Sequence, residues 1–347
     1  MNLLPKNGMT MTIIDLRSDT VTKPSLEMRR AIFNAEVGDD VFEEDPTVHQ
    51  LEKISAELFE KEKALFVSSG TQANLISVLC HCNRGEEYIA GQNAHVYKWE
   101  GGGCAVLGGV QPQPIPVERD GTLLLDNVQK NIKPLDVHFA KTKLLALENT
   151  MWGKVLPLDY IADARLLADK YHLKMHLDGA RVFNAAVALG KPVSAIAKFF
   201  DTISFCLSKG LGAPVGSLIC GSAETIEKAR HLRKMLGGGM RQAGVLAAAG
   251  IYALQNNINR LAEDHLNAFH LANELRNIPL LNDCLEVNTN IVLLHVGVDR
   301  QKEFVEHLKT QNILTLGNEG LVRFVTHLDI QAKDIERTIQ TIKKYFA

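Results

Sequence analysis

Lys209 lies in the segment Ser204-Phe205-Cys206-Leu207-Ser208-Lys209-Gly210-Leu211-Gly212, between an apolar run and a glycine-rich turn. Such a run reads as a buried strand, so the lysine projects from a strand end into a crevice. Partial loss of solvent there makes an amine a nucleophile toward a carbonyl. A single lysine in a loop is more often a solvated surface charge, so the chemistry needs partners. One is Asp178 in His176-Leu177-Asp178-Gly179-Ala180-Arg181, a carboxylate at the end of another apolar run. In an open α/β sheet the carboxyl ends of the strands line the ligand crevice. Read alone, Asp178 serves equally well as a helix N-cap. The other partner is Ser68-Ser69-Gly70-Thr71-Gln72-Ala73-Asn74, where a strand breaks into a helix. Gly70 lets the backbone approach a ligand closely, and the free N–H groups of the helix start, with the Thr71 hydroxyl, bind an anion. No Gly-Lys-Ser/Thr follows, so this is not a nucleotide-binding Walker loop.

A nucleophilic amine, a ring acid and a phosphate trap together hold pyridoxal 5'-phosphate (PLP). Lys209 would form the Schiff base, Asp178 would keep the pyridine nitrogen protonated, and Gly70 with Thr71 would take the phosphate. Their order along the chain is that of fold type I PLP enzymes. Further motifs narrow the likeness: Asp15-Leu16-Arg17-Ser18-Asp19-Thr20-Val21-Thr22, Val37-Gly38-Asp39-Asp40-Val41, Leu147-Glu148-Asn149-Thr150, Gly237-Gly238-Gly239-Met240-Arg241-Gln242 and Val322-Arg323-Phe324-Val325-Thr326-His327. With these, nearly the whole chain resembles the low-specificity L-threonine aldolases.

That resemblance implies retro-aldol cleavage of L-threonine or L-allo-threonine to glycine and acetaldehyde, and other β-hydroxy amino acids are admissible substrates. His95 matches the histidine stacked on the pyridine face, and His138 a second histidine near the substrate hydroxyl. Either is a candidate for the base, with Lys209 completing the catalytic set. Arg181 and Arg323 match the arginines that hold the substrate carboxylate, with Ser18 assisting; a guanidinium fork suits a carboxylate through two parallel hydrogen bonds. Arg323 falls in the C-terminal domain, so the resemblance implies a substrate that touches both domains. Ser208, Arg181 and Arg241 join the expected cofactor contacts. Trp99 occupies an aromatic position near the substrate side chain. Lys234 and Arg241 are expected to reach the site of a neighbouring subunit, which implies a homo-oligomer, expected to be a tetramer. Phe42 stands where many relatives carry tyrosine, which removes a phenol hydroxyl and leaves packing.

Several elements must position these residues. Apolar runs at 64–67, 143–147, 173–177, 201–207 and 215–220 alternate with helical patterns at 71–82, 158–171 and 181–189. This rhythm predicts an α/β domain with a mainly parallel, seven-stranded type of sheet. From Asn257 a long helical pattern follows, with Leu261, Leu266, Phe269 and Leu275 on its expected apolar side, then strands at 291–296 and 321–326 and helices at 302–309 and 332–345. The division expected is an extension over 1–12, a large PLP-binding domain over 13–260 and a small α+β domain over 261–347. The length of 347 residues, longer than single cores usually grow, agrees with two domains.

Charge and cysteine usage exclude other classes. With 38 basic and 40 acidic residues there is no global attraction to nucleic acid or an anionic membrane, so any anion must be caught locally. The six cysteines lie in or beside apolar runs and form no disulfide framework. Cys80-His81-Cys82 lacks a second pair at zinc spacing, so no metal is expected. No apolar stretch of about 18 residues appears, and a cytoplasmic location follows. Two readings compete: another PLP reaction, β-elimination or transamination, and an inactive PLP-binding regulatory protein. Against transamination, nothing is assignable to a second, dicarboxylate substrate.

Overall fold

The computed structural model describes residues 12–347, so nearly all of the expected N-terminal extension lies outside the described residues. Strand β1 (Ile14–Asp15) is followed by β2 (Lys63–Val67), β3 (Glu86–Gly91), β4 (Gln111–Ile115), β5 (Lys141–Glu148), β6 (Lys174–Asp178), β7 (Thr202–Cys206) and β8 (Ser217–Gly221). The last seven form one sheet in the order β2-β8-β7-β6-β5-β3-β4. Strand β8 runs antiparallel to both neighbours, and every other pair is parallel. Six strands therefore point the same way and end at one edge, where ligands of such sheets bind.

Every residue of β7 and β8 is buried, as expected of strands covered on both faces. The covering helices start where the sequence supplies caps. Asp45 accepts from the N–H groups of Thr47 and Val48, and Pro46 occupies the first turn of the helix Pro46–Phe59. That helix buries Val48, Leu51 and Phe59, and Phe59 stacks on Phe205 of β7 at 4.8 Å between ring centroids.

The chain divides into two compact units, Thr22–Glu263 and a second made of Asp264–Ala347 with the described residues up to Val21. The second unit holds β9 (Leu285–Val287), β10 (Ile291–His295), β11 (Ile313–Leu314), β12 (Leu316–Asn318) and β13 (Leu321–Val325). An antiparallel sheet runs β12-β13-β10-β9, while β1 pairs in parallel with β11, Ile14 opposite Ile313. Residues 13–21, expected in the large domain, thus belong with the C-terminal unit. A two-residue strand that finds its partner some 300 positions away leaves no local pattern.

A second departure concerns the long helix. It spans Leu261–Arg276, and a separate helix, Gly244–Asn256, precedes it. The latter buries alanine and glycine on several sides, so it carries no apolar stripe. Within Leu261–Arg276 the buried set is Leu261, Asp264, His265, Ala268, Leu271, Ala272 and Leu275, while Leu266 and Phe269 are exposed. Two buried polar residues on the inner face displaced the expected stripe.

One buried ion pair braces the sheet against the segment before Asp45. Arg233 donates through Nη2 to Asp40 Oδ2 at 2.7 Å and through Nη1 to the Phe66 carbonyl at 2.7 Å, with both side chains almost fully enclosed. Removing one partner leaves the other charge uncompensated. Arg233→Ala is therefore expected to cost about 3–5 kcal/mol of stability, measurable as a lower urea midpoint; an unchanged midpoint contradicts this.

Candidate active site

At the carboxyl edge of the large sheet, Glu148, Asp178 and Ser204 stand level on adjacent strands β5, β6 and β7. Lys209 lies three residues beyond the end of β7. Its carbonyl accepts from Gly212 N at 2.9 Å and from Thr22 Oγ1 at 3.2 Å, so the backbone under the amine is pinned. Gly212 takes φ +78°, which closes this turn.

The centre of the arrangement is Asn74, buried on the helix Gly70–His81. Its Nδ2 donates to Asp178 Oδ2 at 2.7 Å and to Glu100 Oε1 at 2.8 Å. Its Oδ1 accepts from Ser204 Oγ at 2.9 Å and faces His176 Nε2 at 3.1 Å. Asp178 Oδ1 accepts from Ala180 N at 3.0 Å, which is a turn rather than a helix cap, since the next helix starts at Val182.

His95 begins the short helix His95–Lys98 after β3. Its Nδ1 is 2.7 Å from Glu100 Oε1, and its backbone N–H donates to Glu148 Oε2 at 2.7 Å. The bond to Glu100 raises the proton affinity of His95 above the ordinary histidine value, against the opposing pull of burial and of Lys209; Asp178 adds to the rise. Desolvation, reinforced by the Asp178 charge, pushes the Glu148 carboxyl upward. His176 is driven down to about 4 by burial, so it is neutral. His95, Glu100 and Asp178 thus converge, with their ligand-type atoms within 4.8 Å of one another. Lys209 lies near enough for its charge to act on both His95 and Glu148.

Beyond the carboxyl end of β2, Ser69 caps the helix Gly70–His81 by accepting from Gln72 N at 3.2 Å. The N–H groups of Gly70 and Thr71, the first two of the helix, have no acceptor among the described residues. A Cβ on Gly70 would lie 2.9 Å from Cys206 Sγ, so glycine lets the turn abut β7. Two free donors at a helix start suit a phosphate, and an acceptor-only Asp178 suits a protonated ring nitrogen. The donor set fits PLP.

The other expected residues are placed variously. Arg181 sits at the start of the helix Val182–Leu189, and Ser208 precedes Lys209. Arg323, on β13, donates through Nη2 to the Arg17 carbonyl at 3.1 Å, which sets it beside Ser18 within the C-terminal unit. Trp99 follows His95 by one turn and is half exposed. Arg241 pairs with Asp39 at 3.1 Å and lies 6.0 Å from the Phe42 ring centroid, so Phe42 meets a guanidinium through its face. Lys234 is exposed near the end of the helix Ala223–Met235.

His138 is not brought to the cluster by its own chain. It lies in the loop before β5, with an 80% exposed side chain bonded to Asp136. The cluster lies at the far end of β5, a strand length of about 23 Å at 3.3 Å per residue. Sequence reading also passed over Asn74, Glu100 and Glu148 as working groups. Asn74 and Glu148 stand inside motifs quoted above, whereas Glu100 is signalled only by its spacing of five from His95. Cys80, half-buried, and Cys82, buried, have thiols pushed up to about 12 by desolvation, and His81 bonds Thr202 Oγ1 at 2.9 Å.

A family profile described as beta-eliminating lyase matches residues 15–298. The low specificity L-threonine aldolase of Escherichia coli (strain K12) is 52% identical over 323 residues, covering 93% of this chain and 96% of the relative. The chain belongs to the low-specificity L-threonine aldolase family. Other threonine aldolases extend the likeness. The Saccharomyces cerevisiae low specificity L-threonine aldolase is 35% identical over 340 residues, covering 96% of this chain and 86% of that one. A Leishmania major threonine aldolase structure superposes with a TM-score of 0.81 at 20% identity, covering 96% of this chain and 100% of the other. A Listeria monocytogenes structure, described as a putative L-allo-threonine aldolase, gives 0.77 at 18%, with 95% and 96% covered. These structures share the fold expected from the sequence, a fold type I α/β architecture with a large central sheet. The threonine aldolase family is one of lyases, so the reading as an enzyme of that class holds.

Proposed function

We infer that this chain cleaves L-threonine and L-allo-threonine to glycine and acetaldehyde, using PLP carried on Lys209. The observation that carries this reading is the cluster around Asn74: an acceptor-only carboxylate at a strand end, and beside it a histidine that is held by a second carboxylate and lies near Lys209. When bound, PLP supplies an acceptor for the electrons of the breaking Cα–Cβ bond.

The residues of the chain supply the rest. Asp178 holds a proton on the ring nitrogen, Gly70, Thr71 and Ser208 hold the phosphate, and Arg241 reaches the phosphate of a neighbouring copy. Arg181 and Arg323, with Ser18, take the substrate carboxylate; Trp99 borders the side-chain pocket. A fixed carboxylate sets the torsion about Cα, which decides which bond is cleaved. His95 presents Nε2 as the acceptor for the β-hydroxyl proton. In the raised state described above, its imidazole protonates as pH falls through a value above 6.5 and stops accepting. The acid limb of kcat/KM is accordingly expected above pH 6.5.

We assign His138 and Lys234 to the site of a neighbouring copy in a homo-oligomer, a tetramer by resemblance, in the cytoplasm. For His138, the support is its position at the far end of β5 and the exposed Leu135, Val137 and Phe139 that surround it. No helix among the described residues is long and apolar enough to cross a membrane.

Incubating the holoenzyme with each threonine diastereomer and assaying acetaldehyde and glycine tests the reaction. Equimolar glycine and acetaldehyde are expected. 2-Oxobutyrate as the sole product would replace cleavage by elimination.

A further inference from the structure

We propose that Glu100 and Asn74 form a positioning unit for His95: Glu100 holds the imidazole with its Nδ1–H inward and Nε2 outward as proton acceptor, and Asn74 locks Glu100 to Asp178. The proposal rests on the reading of His95 as the base.

The orientation of the Asn74 amide is forced. One side of it faces two carboxylates, Asp178 Oδ2 at 2.7 Å and Glu100 Oε1 at 2.8 Å, and the other faces the Ser204 hydroxyl and His176 Nε2. Ionised carboxylates only accept, so the NH₂ group points at them and spends both protons there. The amide oxygen then needs donors, which Ser204 Oγ–H and a His176 Nε2–H supply. A flipped amide would set its oxygen against two carboxylates and its NH₂ against an N–H.

Glu100 is held as an anion by the same geometry. Its side chain is 2% exposed, and Oε1 receives both Asn74 Nδ2 and His95 Nδ1. Its Oε2 is buried with no hydrogen-bond partner among the described residues, so a proton there would find no acceptor, and a proton on Oε1 would collide with two donors. Burial, with the Asp178 charge, raises the Glu100 carboxyl above the usual carboxylate value, and the bonds from His95 and Asn74 counter that rise. An anionic Glu100 beside Nδ1 selects the tautomer in which Nδ1 carries the hydrogen. Asp178 and Lys209 also act on His95, as does Glu148 through the His95 backbone N–H, but none of these contacts a ring nitrogen.

Glu100 therefore acts through His95, and Glu100→Gln separates charge from shape. Glutamine keeps an acceptor at Oε1 for both donors, so the PLP visible band is expected to persist and kcat to fall by about 10-fold. The loss of charge is expected to move the acid limb of kcat/KM to lower pH. Glu100→Ala, which frees the tautomer, is expected to lower kcat by about 10²–10³-fold. A Glu100→Gln enzyme with the wild-type acid limb overturns the proposal. Glu100→Gln is read beside His95→Gln. If His95→Gln retains the wild-type limb and rate, the reading of His95 as base fails instead. Nitrogen-15 imidazole shifts of the wild-type holoenzyme give a readout independent of variants: His95 is expected as the Nδ1–H tautomer, and a dominant Nε2–H form overturns the proposal.

Discussion

Lys209→Ala is expected to abolish the visible absorption of the holoenzyme and to lower kcat by four orders of magnitude or more, on the order of losses seen when a covalent group is deleted. The loss follows from placement rather than from burial. Lys209 extends from a turn whose carbonyl is held by Gly212 and Thr22, three residues beyond a fully buried strand. Removing the amine changes none of those contacts, so the variant is expected to fold, with an unfolding midpoint near wild type. A variant that kept both colour and turnover would show that another amine carries the cofactor.

Asp178→Ala is expected to have the second largest effect, about a 10³-fold fall in kcat with a shifted visible spectrum. The ring nitrogen would lose its partner, and each unit of its lowered proton affinity corresponds to about 1.4 kcal/mol. Asp178 also serves structure: it takes Asn74 Nδ2 and Ala180 N. Asp178→Asn keeps the size and one acceptor, so it separates the two roles. If charge is what matters, the asparagine variant, which loses one of the two accepted bonds but keeps the packing, will fold with a smaller stability loss than the alanine variant and still lose most of its rate. Equal and near wild-type rates for both variants would contradict a role for Asp178 on the ring.

Much of this edge was legible beforehand because it is local. The apolar runs that end at Asp178 and Cys206 announce strands, and the break at Ser69-Gly70 announces a helix start, each within ten residues. Pairings between distant segments were not legible. Ile14–Asp15 joins Ile313–Leu314, and nothing near residue 14 says so. Buried polar side chains were equally hidden: Asp264 and His265 face inward where Leu266 and Phe269 were expected. Asn74 stood in a recognised motif, but its value comes from four groups on three other segments that converge on one amide. His138 shows a further limit. A position matched by resemblance keeps its sequence place, yet its own chain leaves it on a loop at the far end of β5.

Reduction of the PLP holoenzyme with borohydride, followed by peptide mapping by mass spectrometry, tests the central claim most directly. The account predicts a single pyridoxyl-modified lysine, Lys209, with unmodified Lys234. Modification of any other lysine in place of Lys209, or of none in an active holoenzyme, would contradict it.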